Sequence, residues 1–199
     1  MEKINLQNNQ EIKKEKDYLY HMVPDDMVGD TLHPLSTLEI ENPDLYNKKM
    51  KKYKEKDLYG NDRLFVIEQV IPGIEAKWKD VINLSPIKPE DLKKALETAG
   101  YKTRELKFYQ IDPHLLDQEK TTVCLFNYDV KSKKFNESYV PFEPSDISKY
   151  TIVPEDTKIY FKNKSEAGEK PLLFLGIPHV LHKGSINISD LEKFPVITV

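Results

Sequence analysis

The side chains of this chain that could do chemistry are few and scattered. His21 closes an aromatic-rich run, "DYLYHMV", and Ser85 closes "DVINLSP". An imidazole changes charge between about pH 5 and 8, so either histidine protonation state is available for hydrogen bonding or proton transfer. Taken singly, His21 reads as a structural histidine and Ser85 as a turn residue leading into a helix. His33, in "TLHPLS", and His182 have the chemistry of a general base, but neither lies in a recognised nucleophile–base motif. His179 and His182, in "IPHVLHKGS", are three apart, which would suit a metal on a helix; Pro178 and Gly184 predict extended or turn backbone there instead. Asp25, Asp26 and Asp30 lack the spacing of a calcium loop, so no metal site is expected. Cys124 lies inside the apolar run "TTVCLFNY", where a thiol is buried and inert.

Other chemistries are excluded by what is missing. The sequence has no G-x-G-x-x-G, G-x-x-x-x-G-K-[ST], H-E-x-x-H or G-x-S-x-G, and its seven glycines leave little for phosphate-cradling loops. Net charge is −3 and the isoelectric point about 6.0, so no basic field attracts nucleic acid or anionic membrane. Arg63 and Arg104 are the two arginines; a duplex DNA reader, which depends on bidentate guanidinium contacts, is not expected. One cysteine cannot form an intrachain disulfide, which fits a reducing compartment. No apolar segment precedes Tyr18 and the longest apolar run, 171–178, is far too short to span a bilayer. The expectation is a cytoplasmic protein with no membrane partner, specialised export remaining compatible.

The elements that must position these residues follow from pattern. With 199 residues, 39% hydrophobic and 32% charged, the chain is long enough for one domain with a sizeable core. Residues 1–16 are polar and read as a flexible tail, leaving one domain over 17–199. "DYLYHMV" predicts a strand that stops at Pro24, and 24–41 a long irregular segment. Residues 42–57 predict a solvated, lysine-rich helix with Pro43 in its first turn. The stretch 63–74 suits either helix or strand. Val81–Ser85 predicts a strand. In "KPEDLKKALETAG", Pro89, Glu90 and Asp91 open a helix, Gly100 ends it, and Leu92, Ala95, Leu96 and Ala99 give it one apolar face. Strands are expected in 105–113, 121–130, 136–142, 156–161, 171–175 and 194–199. Many strands with two or three helices argue for the α+β class with a mixed or antiparallel sheet.

The order "YLYHMV", "DVINLSP", a helix, then "LKFYQIDPHLL", with "IPHVLHKGSINISDLEKF" near the end, resembles the ADP-ribosyltransferase-like superfamily, including the tRNA 2′-phosphotransferases and small bacterial relatives. The resemblance implies a split, curved β-sheet with NAD in its cleft. It also implies that Tyr20, His21 and Ser85 contact the cofactor, His21 on the nicotinamide-side ribose and Ser85 in the nicotinamide pocket. A late glutamate, Glu137 or Glu143 in "NESYVPFEP", would then stabilise the positive charge that grows on the ribose as nicotinamide leaves. The acceptor of ADP-ribose would be a protein or a nucleic acid. Met22 stands where the family carries a small residue after the histidine, and two arginines cannot supply the phosphotransferase set, which sets phosphotransfer aside. The alternative expectation is a non-enzymatic interaction domain, effector-like or antitoxin-like. That alternative predicts a cleft filled by side chains, with His21 bonded inside the core.

Overall fold

The computed structural model describes residues 16–24, 26–27, 29–54, 64–129 and 134–199. The flexible tail expected over 1–16 falls outside these residues except for Lys16, which pairs with Asp112 at 2.6 Å. Asp25 and Arg63 also fall outside them.

In chain order the elements are β1 (Leu19–Met22), β2 (Thr31–Leu32), α1 (Leu35–Glu41), α2 (Pro43–Lys54), α3 (Leu64–Glu68), β3 (Val70–Ile71) and β4 (Ala76–Lys77). They continue with β5 (Val81–Leu84), α4 (Pro89–Thr98), β6 (Lys107–Ile111), β7 (Thr121–Asp129) and β8 (Lys134–Pro141). The last are α5 (Glu155–Glu166), β9 (His179–Lys183), β10 (Ile186–Asn187) and β11 (Val196–Thr198). This is an α+β protein, as the sequence predicts.

Two antiparallel sheets organise it. One has the order β1-β6-β11 and the other β5-β9-β7-β8. Among the described residues their main chains are bridged at one point, where Tyr20 and Ser85 exchange hydrogen bonds of 2.7 and 2.8 Å. The split lies beside this pair. Leu19, Tyr109 and Ile111 of the first sheet and Ile82, Leu84, Val123 and Val180 of the second share one apolar core. Alternation along each strand produces it, because residues two apart face the same side. On the other face of the second sheet, Val81, Cys124 and Leu181 meet Ile71, Ile74 and Ala76. A third cluster joins α4 to α5 through Leu92, Leu96, Tyr160 and Phe161.

Four expectations are corrected. The described residues hold five α-helices, α1 to α5, where two or three were expected. Residues 24–41 are not one irregular segment: they hold β2 and α1, and Leu38 supplies the buried face of α1. Residues 156–161 are helix, not strand. Pro154 precedes the first turn, Glu155 and Asp156 lie in it, and buried Thr157, Tyr160 and Phe161 follow the helical spacing. The alternation of Ile159 with Phe161 imitates a strand over a window too short to discriminate. Residues 171–175 form a turn-rich segment in which Leu172 N–H donates to the Tyr160 hydroxyl at 3.0 Å and Leu173, Phe174 and Leu175 pack on the α4–α5 cluster. The helix expected over 42–57 is α2 as far as Lys54, residues 55–57 lying outside the described ones; Asn42 caps it by accepting from Leu45 N–H at 3.1 Å. No helix among the described residues is long and apolar enough to cross a membrane.

Candidate functional site at the sheet split

Where β1 and β5 part, the second sheet has a carbonyl to satisfy. Ser85 directs its main-chain groups at β1, so Asn83, two residues earlier, directs its own the same way. Among the described residues, no main-chain donor of β1 meets it. The His21 ring does, with Nδ1 2.9 Å from the Asn83 carbonyl oxygen. A carbonyl only accepts, so Nδ1 carries the proton and donates. Burial pushes the imidazole pKa down, the Asn83 bond pulls it up, and the positive charge of Lys49 pushes it down again. The net direction is downward, so His21 is neutral near pH 7 with an unprotonated Nε2, an acceptor.

His21 lines a cavity of about 420 Å³. Val81, Ile82 and Asn83 of β5 and Trp78 form one wall, α1 and α2 contribute Leu35, Leu38, Glu41, Leu45 and Lys49, and the β2 region contributes Leu32 and His33. The volume falls in the range of small-molecule sites, and the mixture of an apolar wall with a few polar groups is their usual make-up. Asn83 Oδ1 is buried and has no hydrogen-bond partner among the described residues. Whichever way that amide is turned, one end stays unpaired, a condition that a ligand or an ordered water relieves. Trp78 Nε1 is likewise buried without a partner; the indole N–H acts on the Tyr139 hydroxyl, yet outside hydrogen-bond geometry.

Among the described residues, two carboxylates line the cavity. Asp26 is held by Lys48 at 2.8 Å, and that bond keeps its pKa below the usual range. Glu41 lies 3.5 Å from His33 Nε2, while His33 Nδ1 lies 2.9 Å from Ser185 Oγ. The register of β2 on β10, with Leu32 opposite Ile186 and Thr31 opposite Asn187, continues to set His33 opposite Ser185.

The structure brings some of the sequence-derived residues together and not others. Tyr20 and Ser85 meet through their backbones, not in a pocket. Ser85 Oγ is buried and accepts from Ile87 N–H at 3.1 Å, a local turn bond, and Ser85 does not line the cavity. Glu137 projects from β8, where the Tyr139 hydroxyl (2.8 Å) and Gln69 Nε2 (3.0 Å) both donate to Oε2. Glu143 is exposed and accepts from Gln118 Nε2 at 3.3 Å. Neither glutamate lines the cavity with His21. Cys124 is fully buried, and burial pushes its thiol up to about 12, as expected of an inert thiol. His179 stands edge-on to Phe126 and Trp78, with ring centroids 5.2 and 6.2 Å away, and burial takes its pKa down to about 4. His182 is buried with Nδ1 2.8 Å from Thr121 Oγ1, whose own proton goes to the Asp117 carbonyl at 2.6 Å. These two histidines therefore serve packing on opposite faces of β9, and no group of three or more His, Cys, Asp or Glu among the described residues is arranged to hold a metal.

Sequence reasoning missed Asn83, Glu41, Trp78 and the partner of His33. Asn83 sits in the quoted "VINLSP" and a polar residue inside an apolar strand was a usable signal; the others converge from separate elements and leave none. The fold and cavity define an α+β protein with a ligand-sized cleft where an antiparallel sheet divides. No family model, curated protein or solved structure matches the chain.

Proposed function

We propose that the chain is an ADP-ribosyltransferase-like protein that takes the nicotinamide–ribose half of NAD+ into the cavity at the sheet split. The observation that carries the reading is His21, which lines a space of small-molecule size in one fixed tautomer, its Nε2 free of a proton. Ribose hydroxyls are donors that such a nitrogen accepts. The unpaired Asn83 amide suits the carboxamide of nicotinamide, and Lys49 brings positive charge near His21 for the phosphate side.

Transfer breaks the bond between ribose C1′ and the nicotinamide nitrogen. Both electrons leave with nicotinamide, which departs neutral, and positive charge grows on the ribose. A carboxylate near that carbon lowers the barrier because it is attracted more strongly to the transition state than to the ground state. Of the carboxylates that line the cavity, Asp26 is committed to Lys48, and Glu41 takes the role for which the sequence had suggested Glu137 or Glu143. The interaction-domain alternative calls for a cleft filled by side chains with His21 bonded inside the core; the bond from His21 to the Asn83 carbonyl agrees with the second part, and the open cavity weighs against the first.

Titration with NAD+ under thermal denaturation tests the reading. Binding to the folded state raises Tm in proportion to the logarithm of ligand concentration. The expected result is a rise at millimolar NAD+ that His21→Ala abolishes. A flat Tm for the unaltered protein at that concentration overturns it.

A further inference from the structure

Ser185 sets its hydroxyl against His33, a histidine that lines this cavity. Its Oγ lies 2.9 Å from His33 Nδ1, and Glu41 lies 3.5 Å from the other ring nitrogen. A carboxylate on the Nε2 side favours the proton there, which leaves Nδ1 as an acceptor for the Ser185 hydroxyl. Nucleophile, base and orienting carboxylate therefore stand in line, although 152 residues separate the first two. Ser185 is exposed, while His33 and Glu41 line the cavity. The array thus spans the boundary between solvent and cleft.

We propose that Ser185 is a built-in acceptor: the protein ADP-ribosylates its own Ser185, with His33 as the base. The inference rests on the NAD reading of the cavity. In the step, the C1′–nicotinamide bond breaks and its electron pair leaves on nicotinamide. Ser185 Oγ forms the new bond to C1′, and its proton passes to His33 Nδ1. The bonds and charges balance with no further reactant.

The turn chemistry favours glycosyl over acyl transfer at this serine. Acyl transfer needs N–H donors aimed at a developing oxyanion. The amide preceding Ser185, Gly184 N–H, is committed to the Asp80 carbonyl at 3.0 Å. An oxocarbenium-like carbon develops positive charge and needs no such donors. It needs a carboxylate nearby, and Glu41 is there.

The experiment is incubation of the full chain with NAD+, followed by peptide mapping of the adduct by mass spectrometry, with NAD+-dependent thermal shifts recorded in parallel. The expected result is one ADP-ribose on Ser185 in the unaltered protein and none in Ser185→Ala. His33→Gln is expected to slow its appearance at least tenfold, and the NAD+ shift of Tm persists in Ser185→Ala, whose side chain does not line the cavity. A normal shift with no adduct on Ser185, or with adducts on other residues alone, overturns the acceptor proposal and leaves NAD binding standing. Absence of the shift in the unaltered protein overturns both. Addition of free ADP-ribose in place of NAD+ checks for a non-enzymatic adduct, and an equal yield from it also overturns the proposal.

Discussion

His21 Nδ1 donates to the Asn83 carbonyl 2.9 Å away, and so a side chain of the first sheet satisfies a main-chain group of the second at the point where the strands separate. Removing the ring leaves a half-buried carbonyl without its donor. His21→Ala is expected to destabilise the protein by about 1–3 kcal/mol, the usual cost of such an orphan. Urea unfolding measures this. A loss well under the lower bound would mean that water replaces the ring at no cost. His21→Gln, which can donate to the same carbonyl, is expected to recover part of the stability.

Ser85→Ala separates the pocket role implied by the resemblance from the turn role seen in the structure. The Oγ accepts from Ile87 N–H just ahead of α4 and does not line the cavity. The substitution is expected to lower stability by roughly 1 kcal/mol and to leave the NAD+-dependent change in Tm intact. A lost NAD+ response with unaltered stability would return Ser85 to the pocket.

The glutamates divide in the same way. Glu41→Gln is expected to reduce release of nicotinamide from NAD+ at least tenfold, whereas Glu137→Gln and Glu143→Gln leave it unchanged, because neither shares the cavity with His21. Nicotinamide quantified by chromatography gives the answer. Glu137→Gln still has a visible effect of its own kind: the Tyr139 hydroxyl, whose pKa burial and the Glu137 carboxylate hold up, loses an ionised acceptor, and Tm falls slightly.

Much of this protein was legible in its sequence. The strand that carries His21 and the helix from Pro89 follow from strong local signals, namely aromatic alternation closed by a proline and an apolar face closed by a glycine. The α+β class follows from them. What eluded the sequence was decided by contacts between distant segments. Residues 156–161 carry both periods, and the packing of Tyr160 and Phe161 on α4 selects the helical one. His33 has no partner nearby in sequence, and the pairing of β2 with β10 supplies Ser185. Whether Ser85 or Asn83 faces the cleft depends on where β1 leaves β5, which no local pattern encodes.

Stability is expected to fall as pH drops from about 6.5 toward 4, a fall that begins above the range where the carboxylates titrate. Burial depresses His21, His179 and His182 in the folded state, so below the ordinary imidazole pKa the unfolded chain takes up protons that the folded chain refuses. The effect is absent above that pKa and complete once pH has passed the folded value. Lys49 adds to it at His21, and Asp117 opposes it at His182, partly countered by Lys120. His179, at about 4 and flanked by Trp78 and Phe126, contributes the clearest share, up to about 3 kcal/mol at the acid end. His179→Phe should flatten the profile of Tm against pH between 6.5 and 4; an unchanged slope would assign the loss to other groups.

The bridge between Tyr20 and Ser85 is made of main-chain atoms alone. Its two bonds survive any side-chain replacement that keeps an amide hydrogen, so the joint places almost no demand on the identity of either residue. The opening of the cleft is therefore a matter of strand geometry, inherited from how far β1 and β5 twist apart beyond one shared pair. A protein built this way can exchange the lining of its cavity during evolution while the aperture keeps its width.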